Sequence, residues 1–321
     1  MTVVDTHGPR ETAGAVGGNS RRPRRGGLRR SSARLGWGFA SPALLVVAAV
    51  MLFPIVFSII MSFSNVNVTG NGFQLSGVTG KNYSILFGSQ RYWHDLEFTA
   101  LYTVVTVTIE MVLGTLVALV LERLTVGRGW LMALLLLPWA LITVVSAQLW
   151  AYIYNGVYGV LDAILNSVGV HDLNVLGTPT QAAIAMGVAD VWKTTPFVAI
   201  MVLAGLVMLP GEVVEAARVD GARGWTIFWK IRLPLLRPAL AVAVMFRILQ
   251  AFGLFDLPYV LTNGGPGTST ESLAVLGYKV LFNDLEFGPG AAVAASTAIV
   301  VLVVCLVFLK VFRTQVGEQE D

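Results

Sequence analysis

Six apolar stretches, at residues 39–63, 98–121, 130–154, 181–209, 235–260 and 290–312, set the terms on which this chain can fold. Crossing about 30 Å of hydrocarbon takes about 20 apolar residues in a helix, and each stretch reaches that length. Lipid offers no water to satisfy backbone groups, so only helices or closed barrels can cross it. Runs this continuous lack the alternation of barrel strands. The expected fold is therefore an all-α membrane protein with six transmembrane helices. Composition agrees, because charged residues make up only 13% of the chain against about 25% in soluble domains.

Orientation follows from Lys and Arg, which accumulate on the cytoplasmic side. The N-terminal tail carries eight arginines (Arg10, Arg21, Arg22, Arg24, Arg25, Arg29, Arg30 and Arg34). With that tail set aside, nine basic residues still fall on its side of the membrane (Arg123, Arg128, Arg218, Arg223, Lys230, Arg232, Arg237, Lys310, Arg313) and three on the other (Lys81, Arg91, Lys279). Both termini and the 210–237 loop are expected in the cytoplasm. Residues 1–36, rich in Gly, Ser and Arg, have too few apolar side chains to build a core and read as a disordered basic tail. Such a segment enforces topology and lies against anionic lipid headgroups, so no nucleic-acid partner is expected. The first apolar run is long, contains Pro54 and has no small-residue cleavage pattern, so it is expected to be retained as a span rather than removed as a signal. Domain boundaries follow: tail 1–36, six-span unit 37–315 with a cytoplasmic segment at 211–234, and short tail 316–321.

Metal chemistry finds no footing. Cys305 is the only cysteine, and His7, His94 and His171 are scattered without ligand spacing,. No G-x-x-x-x-G-K-[ST] run occurs, the nearest fragment being TGKN at 79–82, so the chain is not expected to bind ATP. No nucleophile–base pair stands out, and no catalytic residue is assigned.

Glu110, Asp190, Lys193, Arg247 and Asp256 fall within or at the edges of the spans, where an unpaired charge costs about 2.5–3.5 kcal/mol even on the lenient insertion scale. They should face protein or water. One reading has them line a hydrophilic pathway; the other has them pair with each other or with a partner subunit. Asp190 and Lys193, three apart on one helical face, could neutralise one another. In DVWKTTPF, residues 190–197, Pro196 removes a backbone hydrogen bond near midspan, and Thr194 and Thr195 could satisfy the freed carbonyls. A broken helix at that depth marks a binding site or a packing kink. Trp192 offers a flat surface for a sugar ring, or simple packing. From their midspan placement, Trp192, Lys193, Thr194, Arg247, Gln250 and Asp256 are the candidate pathway residues.

One segment is out of keeping with its surroundings: EAARVDGARGWTIFWKIRLP, residues 215–234, gathers Glu215, Arg218, Asp220, Arg223, Lys230 and Arg232. Apolar residues at Val213, Val214, Ala217, then Trp225, Phe228 and Ile231, recur at helical spacing. Asp220 and Gly221 supply a break, and Pro234 is expected to stop the second helix. The result is a helix–turn–helix bracket at the cytoplasmic surface. Lying passively in the lipid interface needs neither Glu215 and Asp220, which anionic lipid repels, nor a glycine hinge; docking on a cytoplasmic partner explains both.

The segment resembles the signature of ABC importer permeases, at Glu215, Ala216, Ala217, Asp220, Gly221, Ala222, Phe228, Ile231, Leu233 and Pro234. The resemblance implies that the first short helix is a coupling helix seated in a cleft of an ATPase subunit, with Glu215, Ala216, Ala217, Asp220, Gly221 and Pro234 as coupling residues. VWKTTPFVAIMVLAGLVMLP (191–210), FDLPYVLTNGGPGTSTESL (255–273) and LLPWALITVVSAQLW (136–150) are similar to stretches of carbohydrate importers of the maltose and glycerol-phosphate kind. With RYW at 91–93, the likeness runs to permease subunits of actinobacterial trehalose importers. It covers residues 39–312.

By that resemblance the chain is a permease subunit of an ATP-driven importer in a bacterial inner membrane, moving a sugar, a disaccharide such as trehalose. Expected partners are a homologous second permease, two ATPase subunits that carry ATP and Mg, and an extracytoplasmic sugar-binding protein. LTNGGPGTSTES, 261–272, is an outward turn that could receive the ligand. The alternatives are a permease for glycerol phosphate or another oligosaccharide, and a secondary transporter, which would have no use for the 215–234 bracket and would need an inverted repeat.

Overall fold

The computed structural model describes residues 26–70, 72–169 and 174–317, with side chains from 41 to 312 within those ranges. The chain divides into two compact units, residues 1–55 and 56–321. In the first, the described residues belong to α1, Gly26–Ser62. Leu44 to Phe53 expose their large apolar side chains, Phe53 by 69%, the surface that hydrocarbon solvates and water does not. Because α1 starts at Gly26, residues 26–36 are helical where disorder was expected. Leu28, Arg29, Arg30, Ala33 and Arg34 are strong helix formers, and no proline intervenes before Pro42. Residues 1–25 of the basic tail, His171, and residues 318–321 lie outside the described residues.

The second unit begins with an antiparallel hairpin, β1 (Ser64–Thr69) and β2 (Gly72–Val78), that pairs Asn67 with Gln74 and Val68 with Phe73. Its residues are largely exposed, and no strand was expected there. Asn82 ties it down, its Nδ2 donating to the carbonyls of Ser62 and Ser64 at 2.9 and 3.0 Å. Then follow α2 (Lys81–Gly88), α3 (Gln90–Arg123), α4 (Arg128–Ala140), α5 (Thr143–Ile153), α6 (Val160–Ser167) and α7 (Pro179–Val207). After them come α8 (Gly211–Val219), α9 (Gly224–Ile227), a π turn over Phe228–Arg232, α10 (Leu233–Phe252) and α11 (Asp256–Leu261). Last are α12 (Leu273–Tyr278), a second π turn over Lys279–Asn283, and α13 (Phe287–Gly317).

Among the described residues, five helices are long and apolar enough to cross a membrane: Ser41–Ser62, Gln90–Arg123, Pro179–Val207, Gly224–Phe252 and Phe287–Phe312. The third expected span, 130–154, is instead two helices, α4 and α5, that meet at 88°. Pro138 lies inside α4, and its ring blocks the ladder to Leu134. Leu141 and Ile142 are then extended, with ψ of 138° and 134°. Counted as one broken span, the pair brings the total to six. The fifth span also shifts, from the expected 235–260 to Gly224–Phe252.

The centre of the unit is α3 against α7, with α10 packed on both. Thr178 caps α7, its Oγ1 accepting from the Gln181 N–H at 3.4 Å, and Pro179 at the first turn costs no hydrogen bond. Small residues let the backbones approach. A Cβ on Gly114 would come within 2.6 Å of Val198 Cγ1, and one on Gly205 within 2.6 Å of Ala239 Cβ. Around these contacts Ala118, Leu121, Val198, Val202, Leu203, Leu206 and Leu236 form one buried cluster. Towards the other end Tyr102, Ala147, Tyr154, Ala185, Met186, Ala189, Leu257 and Leu261 form another.

Candidate functional site

Between these two clusters the packing turns polar. Glu110 on α3, Asp190 and Thr194 on α7, and Arg247 and Gln250 on α10 meet in one network; Glu110 is fully buried and Arg247 is 2% exposed. Arg247 grips Glu110 with both Nε and Nη2, the latter at 2.8 Å, and Nη2 also reaches Asp190 Oδ2 at 3.4 Å. Its Nη1 donates to Gln250 Oε1 at 2.9 Å. Thr194 Oγ1 lies 2.6 Å from Glu110 Oε1 and 2.7 Å from the Asp190 carbonyl. Tyr102 adds its hydroxyl to Asp190 Oδ2 at 3.4 Å. A forked guanidinium suits this task because it can hold two carboxylates and an amide at once.

Asp190 therefore pairs with Arg247, not with Lys193. The expected Asp190–Lys193 neutralisation is not formed, although the two share a helical face; the guanidinium from α10 takes the carboxylate instead. Nor is α7 broken at Pro196, since the helix runs through it. The carbonyl freed by Pro196 is that of Trp192, whereas Thr194 bonds to Asp190, and Thr195 Oγ1 has no partner among the described residues.

Above the network opens a cavity of about 280 Å³, lined by Trp139, Thr143, Asp190, Lys193, Thr194, Arg247, Gln250 and Asp256, among others. Five of the six candidate pathway residues, Lys193, Thr194, Arg247, Gln250 and Asp256, thus converge on one space. Trp192 does not. It is 42% exposed, meets Trp150 edge-on at 5.6 Å, and borders a separate apolar cleft of about 760 Å³ lined mainly by α3 and α7. Three residues apart on a helix leave one face in common; Trp192 and Lys193, adjacent, diverge by 100°.

The cavity's lining offers both hydrogen-bond donors and acceptors. Lys193 donates to Thr143 Oγ1 at 3.3 Å and has two further N–H groups, Gln250 keeps its amide N–H groups as donors while Oε1 serves Arg247,, and Asp256 accepts. Among the described residues neither Lys193 nor Asp256 is in an ion pair. Trp139, Thr143 and Phe255 also line the space and were not picked out in advance. They belong to α4, α5 and the break after α10, and local pattern carries no signal of their convergence.

The 215–234 segment is built as the sequence implied in its first half. Helix α8 ends in a paired closure: the Gly221 N–H donates to the Arg218 carbonyl at 3.0 Å and the Ala222 N–H to the Ala217 carbonyl at 2.9 Å, the Schellman pattern. Gly221 has φ +78°, which a residue with a Cβ adopts only under strain. Val214, Ala217 and Ile227 pack together with Ala222 and Ile231, while Glu215, Ala216, Arg218 and Asp220 are exposed. The second half departs from expectation. Pro234 does not stop a helix: α9, the π turn and α10 run on without a break, and Pro234 sits within that helix just after the π turn. The widened turn just before it accommodates the proline ring. Arg232 Nη1 reaches Glu122 Oε2 at 2.6 Å, fastening the start of α10 to the end of α3.

At the opposite end, the 261–272 turn is cross-linked by hydrogen bonds and ion pairs. Thr270 Oγ1 lies 2.7 Å from Thr262 Oγ1 and donates to the Gly265 carbonyl at 2.7 Å. Glu271, fully buried, accepts from Arg91 Nε and Nη2 at 2.8 and 2.9 Å and from Lys279 at 2.9 Å. Burial alone would raise the Glu271 pKa, but the hydrogen bonds and charges of Arg91 and Lys279 outweigh it and hold the carboxyl below its usual range,.

Residues 110–313, which include every pathway and coupling residue picked out from the sequence, match the family described as binding-protein-dependent transport system inner membrane component. The trehalose/maltose transport system permease protein MalF of Thermococcus litoralis is 38% identical over 286 residues, covering 89% of this chain and 96% of that protein. The trehalose transport system permease protein SugA of Mycobacterium tuberculosis is 35% identical over 289 residues, covering 90% and 92%. In fold, a chain of a bacterial ABC transporter involved in the import of the acidic polysaccharide alginate superposes with a TM-score of 0.77 at 20% identity, over 89% of this chain and 98% of that one. The chain thus belongs to the binding-protein-dependent transport system inner membrane components, the family of ABC importer permeases that its 215–234 segment resembles.

Proposed function

We propose that this chain is the permease subunit of an ATP-driven bacterial importer that carries a neutral disaccharide of the trehalose and maltose kind inward. The observation that carries the reading is the cavity: Lys193, Thr194, Arg247, Gln250 and Asp256 line one space, on the helices α7 and α10 and the break after α10. Around it stand three carboxylates, Glu110, Asp190 and Asp256, against two cations, Arg247 and Lys193. With no surplus positive charge, such a site favours hydroxyl groups over a sugar phosphate. The names of the relatives support the same solute class.

In this reading the bent α4–α5 pair completes six spans, with both termini and α8 in the cytoplasm. Helix α8 seats in one of two ATPase subunits, which alone bind ATP and Mg. A homologous second permease completes the pathway, and an extracytoplasmic binding protein delivers the sugar at the 261–272 turn. ATPase closure, transmitted through α8, shifts the cavity between inward and outward access. The test is uptake of labelled trehalose and maltose in cells whose own copy is replaced by variants. Gln250→Ala and Asp256→Ala should each depress uptake of at least one sugar, with excess glucose 6-phosphate failing to compete. Undiminished uptake by both variants, or competition by the phosphate, would overturn the reading.

A further inference from the structure

Phe255, which borders the cavity, also belongs to a cluster of four aromatic rings. It stacks on Tyr259 at 5.1 Å and 17°, and each of the two lies 5.1 Å from Tyr278. Tyr278 in turn lies 5.0 Å from Phe282. Two segments supply these rings, each with a four-residue spacing that puts its pair on one helical face: the start of α11, and the junction of α12 with the second π turn. The series stands at the end of α10 away from α8, a separation of about 30 Å for a 20-residue helix.

Phe255, Tyr259 and Tyr278 pack against one another, yet the cluster does not bury itself. Phe255, Tyr259 and Tyr278 are half-buried, and Phe282 is 59% exposed, so the rings keep an open side and exposure is greatest at the far end from the cavity. Tyr259 and Tyr278 carry hydroxyls. Apolar rings edged by hydroxyl groups match the surface of a pyranose, whose C–H face is apolar and whose rim is all hydroxyl.

We infer that Phe255, Tyr259, Tyr278 and Phe282 form a track on which the pyranose rings of a neutral saccharide stack on their way from the outer surface to the cavity. The inference rests on the reading that the chain transports a sugar. The track holds the saccharide by ring faces while Lys193, Gln250 and Asp256 exchange hydrogen bonds with it at the inner end, so no step requires the sugar to be fully desolvated at once.

Aromatic shape, not mere apolarity, is what the track supplies, and that separates it from a surface that only meets lipid. In whole cells carrying the full-length chain with its partner subunits, Tyr278→Leu and Phe282→Leu should each raise the KM for labelled trehalose or maltose about two- to tenfold. Vmax per transporter in the membrane, measured by immunoblot, should hold, and Tyr278→Phe should bring KM back towards that of the parent. Leucine variants with the parent's KM, or a phenylalanine variant no better than leucine, would overturn the track. If Tyr278→Leu fails to reach the membrane, Phe282→Leu, at an exposed position, decides alone. Failure of the unmutated chain to take up either sugar would instead strike the function proposed above.

Discussion

Two regions of this molecule concentrate charge, and they treat it in opposite ways. In the middle of the bundle Glu110, Asp190 and Arg247 are buried and committed to one another. On α8 Glu215, Arg218 and Asp220 point away from a small apolar patch of Val214, Ala217 and Ile227, and stay exposed. The first set is fixed by protein; the second stays at the surface. Charge inside a membrane protein is affordable only when its partners are built in, whereas charge at a surface that docks is useful because it is not yet paired.

The contrast breaks most sharply at Arg247. Arg247→Met leaves two buried carboxylates uncompensated and should cost about 3–5 kcal/mol. Detergent-solubilised protein should melt markedly lower and accumulate less in the membrane, and an unchanged melting temperature would mean that the network is not load-sharing at all. Next in size is Gly114→Val. Its Cβ would stand 2.6 Å from Val198 Cγ1 and 3.0 Å from the Ala199 nitrogen, and overpacking of this kind costs about 1–3 kcal/mol, readable in the same melt.

Gly221→Val asks the opposite of α8. Forcing a Cβ into φ +78° costs about 1–2 kcal/mol locally, so the protein should still insert, while uptake per ATP hydrolysed collapses; Glu215→Lys should do the same without strain. Normal coupled uptake in either variant would remove α8 from the coupling path. Smaller still is Arg232→Ala. Its pair with Glu122 is partly exposed, 16% and 24%, and such pairs contribute about 0–1 kcal/mol, so a double-mutant cycle with Glu122→Ala should return a coupling energy in that range.

The last prediction concerns acid. Glu271 is depressed in the folded protein, so its contribution is fully present above the ordinary glutamate value and disappears as pH falls through the lower, folded one. Protection factors for hydrogen exchange in the 261–272 turn, taken relative to the intrinsic rate at each pH, should fall below about pH 4.5, and Glu271→Gln should flatten that dependence. A turn equally protected across the acid range would show that Arg91 and Lys279 contribute little there.

Features dictated by short range were legible in advance. Apolar length marked the spans, and Asp220–Gly221 marked a turn whose positive φ only glycine takes without strain. What the chain does at long range was not. Arg247 and Glu110 are 137 positions apart, and the nearest oppositely charged neighbour on the helix, Lys193, was the wrong partner for Asp190. Prolines misled for a related reason: Pro196 and Pro234 do forbid a hydrogen bond, but a packed helix or a π turn absorbs the loss. The α4–α5 bend and the exposed hairpin escaped notice because neither interrupts apolar composition strongly enough to read.

The π turn at Phe228–Arg232 has a mechanical meaning. Because it replaces a loop with unbroken helix, Gly224 to Phe252 is a single shaft, and Arg247 rides on it about 22 Å above Arg232 at 1.5 Å per residue. A tilt of some ten degrees at the foot of such a shaft sweeps its upper part sideways by several ångströms, enough to loosen a guanidinium from its carboxylates. The guanidinium that joins α3, α7 and α10 is thus carried on the same rigid helix as the exposed Trp225 at its foot.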